Sequence, residues 1–213
     1  MKIIPLAEAP HRIAELASAL ASGGLVSFPM GGAYRLAADL SSEAAVTRLM
    51  QSKRRAHGHP VLSLVPSLAA ARAVVDGTSW PITRRLAERL WPRPLTLVLP
   101  PSDQLPAKLR RLLTRATGKV GVRVPDEPLA VATLRAFAAP LLLSSANLEN
   151  KPGATSAAAV RLRFATTVDV WVDAGDVGPT LPSTLVEVTA DGWKLLRAGA
   201  VPVADVERAA RPG

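Results

Sequence analysis

Short apolar runs alternate with amphipathic helical segments along almost the whole chain, and this alternation constrains the fold more than any other feature. The run at residues 95–99, LTLVL, is only five residues long and is closed by two prolines, as buried strands commonly are. Residues 79–90 instead place Ile82, Leu86 and Leu90 on one face at helical spacing. Strands that alternate with helices predict an α/β (α+β) fold in which a twisted mixed sheet is flanked by helices.

Other segments repeat these two patterns. Further strands are expected at about residues 25–28, 61–65, 120–124 and 168–172, one more from Leu141, and a hairpin at 183–188 and 193–199. Helices are expected at about residues 8–22, 106–113, 128–137 and 203–210, and after the caps Ser42, Ser67 (through Val75) and Thr155. Residues 30–36 are expected to form a glycine-bearing loop after their strand. A chain of 213 residues without repeat or linker predicts one domain over residues 1–213.

Composition and charge limit the classes of function. The chain has 26 Lys and Arg against 17 Asp and Glu, and six of the 26 are lysines. Arginine excess suits recognition of phosphate or carboxylate, although a generally basic, solvated surface explains charges spread this widely equally well. Cysteine is absent and the three histidines lack metal-ligand spacing, so no structural metal is expected. Without a long apolar run or a signal-peptide layout, a cytoplasmic protein with no membrane contact is expected.

The stretch at residues 141–153, LLLSSANLENKPG, is an apolar run that stops at small polar residues. Ligands in α/β sheets bind at such carboxyl ends of strands, so Ser145 and Asn147 are candidate ligand-binding residues. A turn cap explains the same residues when they are considered alone.

Two cationic features can each be interpreted either as a structural feature or as a ligand site. The cluster at residues 52–60 contains Lys53 and Arg55, and it is either a solvated helix end or a ligand site. Arg123 lies among valines, where a buried guanidinium needs an anionic partner. That partner is either a ligand or a neighbouring carboxylate, Asp126 or Glu127.

Six segments, in order and over nearly the whole chain, resemble the YrdC/Sua5 family of threonylcarbamoyl-AMP synthases. They are GGLVSFPMGGAYRLAADL, SKRRAHGHP, LWPRPLTLVLP, KVGVRVPDEP, PLLLSSANLENKPG, and STLVEV followed by LLRAGAV. The resemblance implies a YrdC-like fold with an open cationic cleft, in the short, single-domain form of the family.

The resemblance also implies an enzyme, a nucleotidyltransferase. In this family L-threonine and bicarbonate give an N-carboxylated threonine, whose carboxylate attacks the α-phosphate of ATP and releases pyrophosphate. The product, threonylcarbamoyl-AMP, serves the t6A modification of adenosine 37 in tRNA. ATP is thus a substrate, accompanied by Mg²⁺, and the implied partners are downstream t6A transfer proteins and tRNA or double-stranded RNA. Because every reactant is anionic, the chemistry calls for a cationic clamp and for no protein nucleophile.

The same resemblance assigns residues to roles. Lys53, Arg55 and Arg123 would be the catalytic cations that hold phosphates and carboxylate. The residues that would contact nucleotide or substrate lie at strand ends and in loops; they are Met30, Gly31, Tyr34, Ser145, Asn147, Ser183 and Arg197.

One segment departs from the family pattern. Where the family has Pro-Thr-x-Thr-x-Tyr-Gly-Leu, this chain has Met30-Gly31-Gly32 after the proline and Arg35 after Tyr34. Two hydroxyls expected near threonine or nucleotide are therefore missing. The chain is a synthase with a rearranged threonine pocket that uses glycine backbone groups, a paralogue for another amino acid or carbamoyl substrate, or a non-catalytic nucleotide- or RNA-binding module.

Overall fold

The structure, a computed structural model, describes residues 1–52, 61–115, 117–146 and 156–212. The strands in these ranges are β1 (Lys2–Pro5), β2 (Val26–Met30), β3 (Ala33–Asp39), β4 (Val61–Leu64), β5 (Leu95–Leu99), β6 (Val120–Arg123), β7 (Leu141–Ser145), β8 (Val170–Asp173), β9 (Thr184–Val188) and β10 (Trp193–Arg197). A 3-10 helix (Ala9–Arg12) precedes the α-helices, which are α1 (Ile13–Ala21), α2 (Glu43–Ser52), α3 (Leu68–Ala71), α4 (Trp80–Leu90), α5 (Ala107–Thr114), α6 (Pro128–Phe137), α7 (Ala157–Phe164) and α8 (Val203–Ala210).

The chain divides into two compact units, each made of two segments. The first unit takes the described parts of Met1–Ala56 and Glu127–Thr180, and the second those of His57–Asp126 and Leu181–Gly213. In the first unit the strands adjoin in the order β1-β8-β2-β3-β7. The pairs β1–β8 and β8–β2 are parallel, whereas β2–β3 and β3–β7 are antiparallel.

The second unit also has a mixed sheet, in the order β4-β6-β5-β9-β10. Its parallel pairs are β4–β6 and β5–β9, and its antiparallel pairs are β6–β5 and β9–β10. Every residue of β5 is buried, which is why its sequence is a continuous run of apolar residues and one threonine. The last hairpin and the helix at 203–210 lie where the sequence predicts them.

Helix termini follow from capping residues. The hydroxyls of Ser42 and Ser67 accept hydrogen bonds from backbone N–H groups three residues later, at 3.2 Å in both cases, as predicted. The cap of α7 is Ser156, which accepts from the N–H of Ala159, and the predicted cap Thr155 lies outside the described residues. Helix α1 packs against α6 and, with α2, contacts β3, whereas α4 packs against α8. Both units have a largely aliphatic core.

Two sequence expectations about local structure are wrong, and one strand was not expected. Residues 30–36 form a tight β2–β3 hairpin and not a loop, because two glycines complete the turn and the following residues pair with β2. Helix α3 ends at Ala71 and not near Val75, which forms an isolated bridge with Pro101. Strand β1 was not expected, since its four residues pair with β8 from the far end of the unit's sequence.

No helix in the described part of the chain is long and apolar enough to cross a membrane. The expectation of a cytoplasmic protein stays a prediction.

Candidate functional site

The turn between β2 and β3 consists of two glycines in the left-handed region. Gly31 has a φ of 58° and Gly32 a φ of 67°, the pair of positive values that a two-residue type I′ hairpin requires. A Cβ atom at Gly32 would lie 2.5 Å from the backbone N of Thr180 and 2.7 Å from the carbonyl oxygen of Gly178. The segment 178–180 therefore crosses the hairpin tip at a distance that only glycine permits.

The end of β7 lies against this hairpin. Ser145 pairs with Arg35 across the antiparallel β3–β7 ladder, and the N–H of Ala146 donates to the carbonyl oxygen of Tyr34 at 2.8 Å. Met30 ends β2 at the same end of the sheet, where its carbonyl oxygen accepts from Nε of Arg35 at 3.3 Å. The structure thus gathers four sequence-predicted residues of the first unit at one sheet end; they are Met30, Gly31, Tyr34 and Ser145.

Tyr34 is buried and its polar group is satisfied by backbone. Its ring stacks on Trp171 with centroids 4.3 Å apart and planes 25° apart. Its hydroxyl donates to the carbonyl oxygen of Gly175 at 2.8 Å and accepts from the N–H of Ala174 at 2.9 Å. Burial raises the pKa of the Tyr34 hydroxyl above its usual range. The geometry gives Tyr34 the task of holding the segment after β8, and its predicted contact with substrate stays a prediction.

Two carboxylates fix that segment at further points. Asp173, the last residue of β8, pairs with Arg161 of α7 at 2.7 Å and accepts from the N–H of Gly175 at 3.0 Å. Asp176 accepts from the N–H of Ala157, the first residue of α7, at 2.8 Å. The segment from Asp173 to Thr180 is consequently tied to β3, to α7 and to the hairpin tip.

In the second unit, Ser183 and Arg197 contact each other, and their predicted role in contacting nucleotide stays a prediction. The guanidinium of Arg197 donates to the carbonyl oxygen of Ser183 at 2.8 Å and to its hydroxyl at 3.3 Å. The hydroxyl of Ser183 also lies 3.0 Å from that of Thr96, a buried residue of β5. Together these three residues, which we call the Arg197 cluster, place a cation and two hydroxyls at one position.

Arg197 has no carboxylate partner among the residues that the structure describes. The residue is exposed overall, yet desolvation of its guanidinium lowers its pKa. Gly199 lets the chain pass close to Pro182, because a Cβ at this position would lie 2.3 Å from the carbonyl oxygen of Pro182. An anion beside Arg197 would supply the counter-charge that the described side chains do not provide.

Arg123, the arginine among valines, has a carboxylate neighbour in the structure. It is the last residue of β6, it is 4% exposed, and it forms an ion pair with Asp126. Strand β6 adjoins β5, so Arg123 and Thr96 of the Arg197 cluster belong to neighbouring strands of one sheet. Asp126 is thus one partner of Arg123, and a phosphate-binding role for Arg123 stays a prediction.

Lys53, Arg55 and Asn147 lie outside the described residues. The part of the chain that is described contains no group of three or more His, Asp or Glu side chains that could hold a metal ion. The cationic cleft likewise stays a prediction.

Sequence reasoning missed two residues at these positions. Thr96 has a weak signal, because it is the one hydroxyl in the apolar run LTLVL. Thr180 has no signal at all, since only the close approach of segment 178–180 to Gly32 brings it to the hairpin tip.

The sequence profile of the Sua5/YciO/YrdC family, described as "Telomere recombination", matches residues 18–199. Threonylcarbamoyl-AMP synthases from Pyrococcus abyssi and Bacillus subtilis are 32% and 30% identical over 87% and 94% of this chain. The chain spans only 53% and 57% of the length of those two relatives. A Xanthomonas axonopodis pv. citri protein of the same name is 33% identical, over 82% of this chain and 91% of its own length.

Solved structures of related proteins superpose on this chain. Pyrococcus abyssi Sua5 complexed with L-threonine superposes with a TM-score of 0.82 at 29% identity, over 98% of this chain and 61% of that one. Escherichia coli YciO superposes with a TM-score of 0.77 at 23% identity, over 96% and 98%, and bears on the fold alone. The predicted mixed α/β, YrdC-like fold is confirmed.

The buried hydroxyl of Tyr34 leads to a prediction about pH. Because its pKa is raised in the folded state, the hydroxyl should stay protonated in native protein above pH values near 10, where tyrosine in the unfolded chain ionises. Its contribution to stability is therefore full below about pH 10 and is lost as pH rises through the higher folded value. Tyr34 is the only tyrosine, so absorbance at 295 nm reports it alone.

The control for this titration is the same protein in denaturant, which should titrate near the ordinary value. Coincident curves for native and denatured protein would contradict the placement of the hydroxyl against Ala174 and Gly175.

Proposed function

Because the chain belongs to the Sua5/YciO/YrdC family, we propose that it is a threonylcarbamoyl-AMP synthase, a nucleotidyltransferase of the tRNA t6A pathway. Its substrates would be L-threonine, bicarbonate and ATP, with Mg²⁺ accompanying the ATP. The products would be threonylcarbamoyl-AMP, pyrophosphate and water. The relatives of this name support the proposal, as does the relative from Pyrococcus abyssi whose structure contains L-threonine.

One observation carries the proposal at the level of chemistry. Arg197 is a partly desolvated cation that is oriented by Ser183 and has no carboxylate partner in the described part of the chain. A nucleotide phosphate would provide that partner through charge-assisted hydrogen bonds, each of which is worth about 1.5–3 kcal/mol. A cation that is already oriented stabilises charge on a transferring phosphate without reorganising during the reaction.

The other predicted residues divide between the reactants. Ser145 and the backbone at Met30 and Gly31 offer uncharged hydrogen-bonding groups in the first unit, which suit an amino acid. Lys53, Arg55 and Arg123 would add positive charge for the carboxylate and the phosphates. The reaction needs alignment of two anions and no covalent intermediate with the protein, and this set of residues offers that.

We further propose that residues 1–213 act as one YrdC-like domain in the cytoplasm. The family match runs across segments of both units, so we expect both units to contribute to activity.

The first prediction of this proposal is the activity itself. Purified protein with ATP, Mg²⁺ and bicarbonate should release pyrophosphate when L-threonine is added, because the threonine carbamate is the attacking nucleophile. The measurement is pyrophosphate release with and without L-threonine, and with L-serine or L-valine in its place. Intact ATP binding without threonine-dependent release would favour a paralogue that acts on another amino acid or carbamoyl substrate, or a non-catalytic module.

The second prediction concerns Arg197. Arg197→Ala should raise the Kd for ATP about tenfold to a hundredfold, because it removes one charge-assisted hydrogen bond to phosphate. Arg84→Ala is the matched control, since Arg84 is an exposed arginine of the same unit that pairs with Glu88. Calorimetric titration with ATP measures both values, and equal effects of the two substitutions would contradict the assignment.

Arg123→Ala is a useful second variant for ATP binding. It also removes the ion pair with Asp126, so its thermal unfolding has to be measured beside its Kd.

The charge distribution favours the second unit as the place where tRNA or double-stranded RNA would bind. Its described residues include 15 Lys and Arg against 8 Asp and Glu, whereas those of the first unit include 7 against 8. Arg111 and Arg115, at the end of α5, are exposed and have no carboxylate partner among the described residues. Such a surface attracts a polyanion mainly through its phosphates.

The third prediction tests this partner. Arg111→Glu combined with Arg115→Glu should raise the Kd for tRNA at least tenfold at low salt, because two phosphate contacts become repulsive. Arg135→Glu, an exposed site in the first unit, is the control for charge reversal. Filter binding at several salt concentrations measures the effect, and an equal loss in both variants would argue against α5.

A further inference from the structure

The space in which residue 32 would carry a side chain is filled by another part of the chain. A Cβ built on Gly32 would lie 2.5 Å from the backbone N of Thr180 and 2.8 Å from the hydroxyl oxygen of Thr180. Real Cβ atoms do not approach other atoms this closely, so Thr180 occupies the volume that the side chain of a larger residue 32 would need. The hydroxyl at the hairpin tip therefore comes from position 180.

The hydroxyl of Thr180 is available to a ligand. Thr180 is exposed, and its hydroxyl forms no hydrogen bond with the residues that the structure describes. A free hydroxyl can both donate and accept one hydrogen bond or more. Ser145 lies at the same end of the sheet, because β7 pairs with β3 beside the hairpin.

The segment that presents Thr180 is held at several points. Tyr34 binds the backbone of Ala174 and Gly175, Asp176 accepts from the N–H of Ala157, and Gly32 admits the backbone of residues 178–180. A hydroxyl that is held in this way loses little conformational freedom when it binds a ligand. This arrangement differs from that of a surface threonine in a turn without such anchors.

The charge around Thr180 indicates which reactant it meets. Residues 173–182 contain no cation, but Asp173 pairs with Arg161, and a guanidinium nitrogen of Arg35 lies 3.8 Å from the position of a Cβ built on Gly31. A cation, a second carboxylate (Asp176) and a hydroxyl near the hairpin tip match the carboxylate, amino and hydroxyl groups of an amino acid. The Arg197 cluster, which suits phosphate, belongs to the other unit.

We propose that Thr180 is a specificity-determining residue that hydrogen-bonds L-threonine and supplies, from the segment after β8, the hydroxyl that residue 32 does not carry. The proposal rests on the synthase function proposed above and names a residue of the amino-acid pocket. It gives a physical account of how a hairpin with the sequence Met30-Gly31-Gly32 serves a hydroxylated substrate.

The test compares Thr180→Val with Thr180→Ser in the full chain. Valine has nearly the shape of threonine but no hydroxyl, so Thr180→Val should raise KM and the calorimetric Kd for L-threonine about threefold to tenfold. The KM for ATP should stay within twofold of its original value. Thr180→Ser keeps the hydroxyl and should stay within twofold of wild type for both substrates.

Thr166→Val is the matched control, because Thr166 is also exposed, belongs to the same unit and lies in the turn after α7. Thermal unfolding of all three variants checks that the fold is intact. If Thr180→Val left the KM for L-threonine unchanged, or raised both KM values equally, the proposal would be overturned while the synthase function stood. If wild-type protein neither bound L-threonine nor released pyrophosphate with it, both proposals would fall together.

Discussion

The arrangement of the first unit depends on the two hydrogen bonds of the Tyr34 hydroxyl. It joins β3 to the segment after β8 through two backbone hydrogen bonds, while its ring stacks on Trp171 of β8 itself. A buried hydroxyl that lost either partner would carry a desolvation cost of about 1–3 kcal/mol, so the contact also selects one course for that segment. Because the segment then crosses Gly32, Tyr34 indirectly sets what the hairpin tip presents to solvent.

Positive charge is distributed unequally between the two units, in a way that matches the reactants of the proposed synthase reaction. The described part of the first unit is close to neutral and places hydroxyls and backbone groups at one sheet end. The second unit holds most of the excess positive charge, including an arginine oriented by Ser183. An amino acid needs hydrogen-bonding groups for its small polar side chain, whereas a nucleotide needs cations for its phosphates.

Much of the secondary structure could be predicted from local sequence. The strand at residues 95–99 was predicted with the bounds it has, because five apolar or hydroxyl residues between prolines are too few for a typical helix. The hairpin of β9 and β10 was predicted from its turn residues. The loop predicted at 30–36 was wrong because glycines indicate a loop and a tight turn equally well, and only pairing with β2 distinguishes them. Strand β1 was missed because its partner, β8, is distant in the sequence.

Patterns within a few residues and ordered segments along the chain were enough to predict the fold class, the family and the need of Arg123 for an anionic partner. Tertiary structure decided that this partner includes Asp126, that Thr96 joins Ser183 and Arg197, and that Thr180 lies beside Gly32. The last two depend on atoms from segments that are remote in sequence and meet only when the sheets form. No local pattern encodes such a meeting, because a glycine that admits a neighbouring backbone and a glycine that only completes a turn are the same letter.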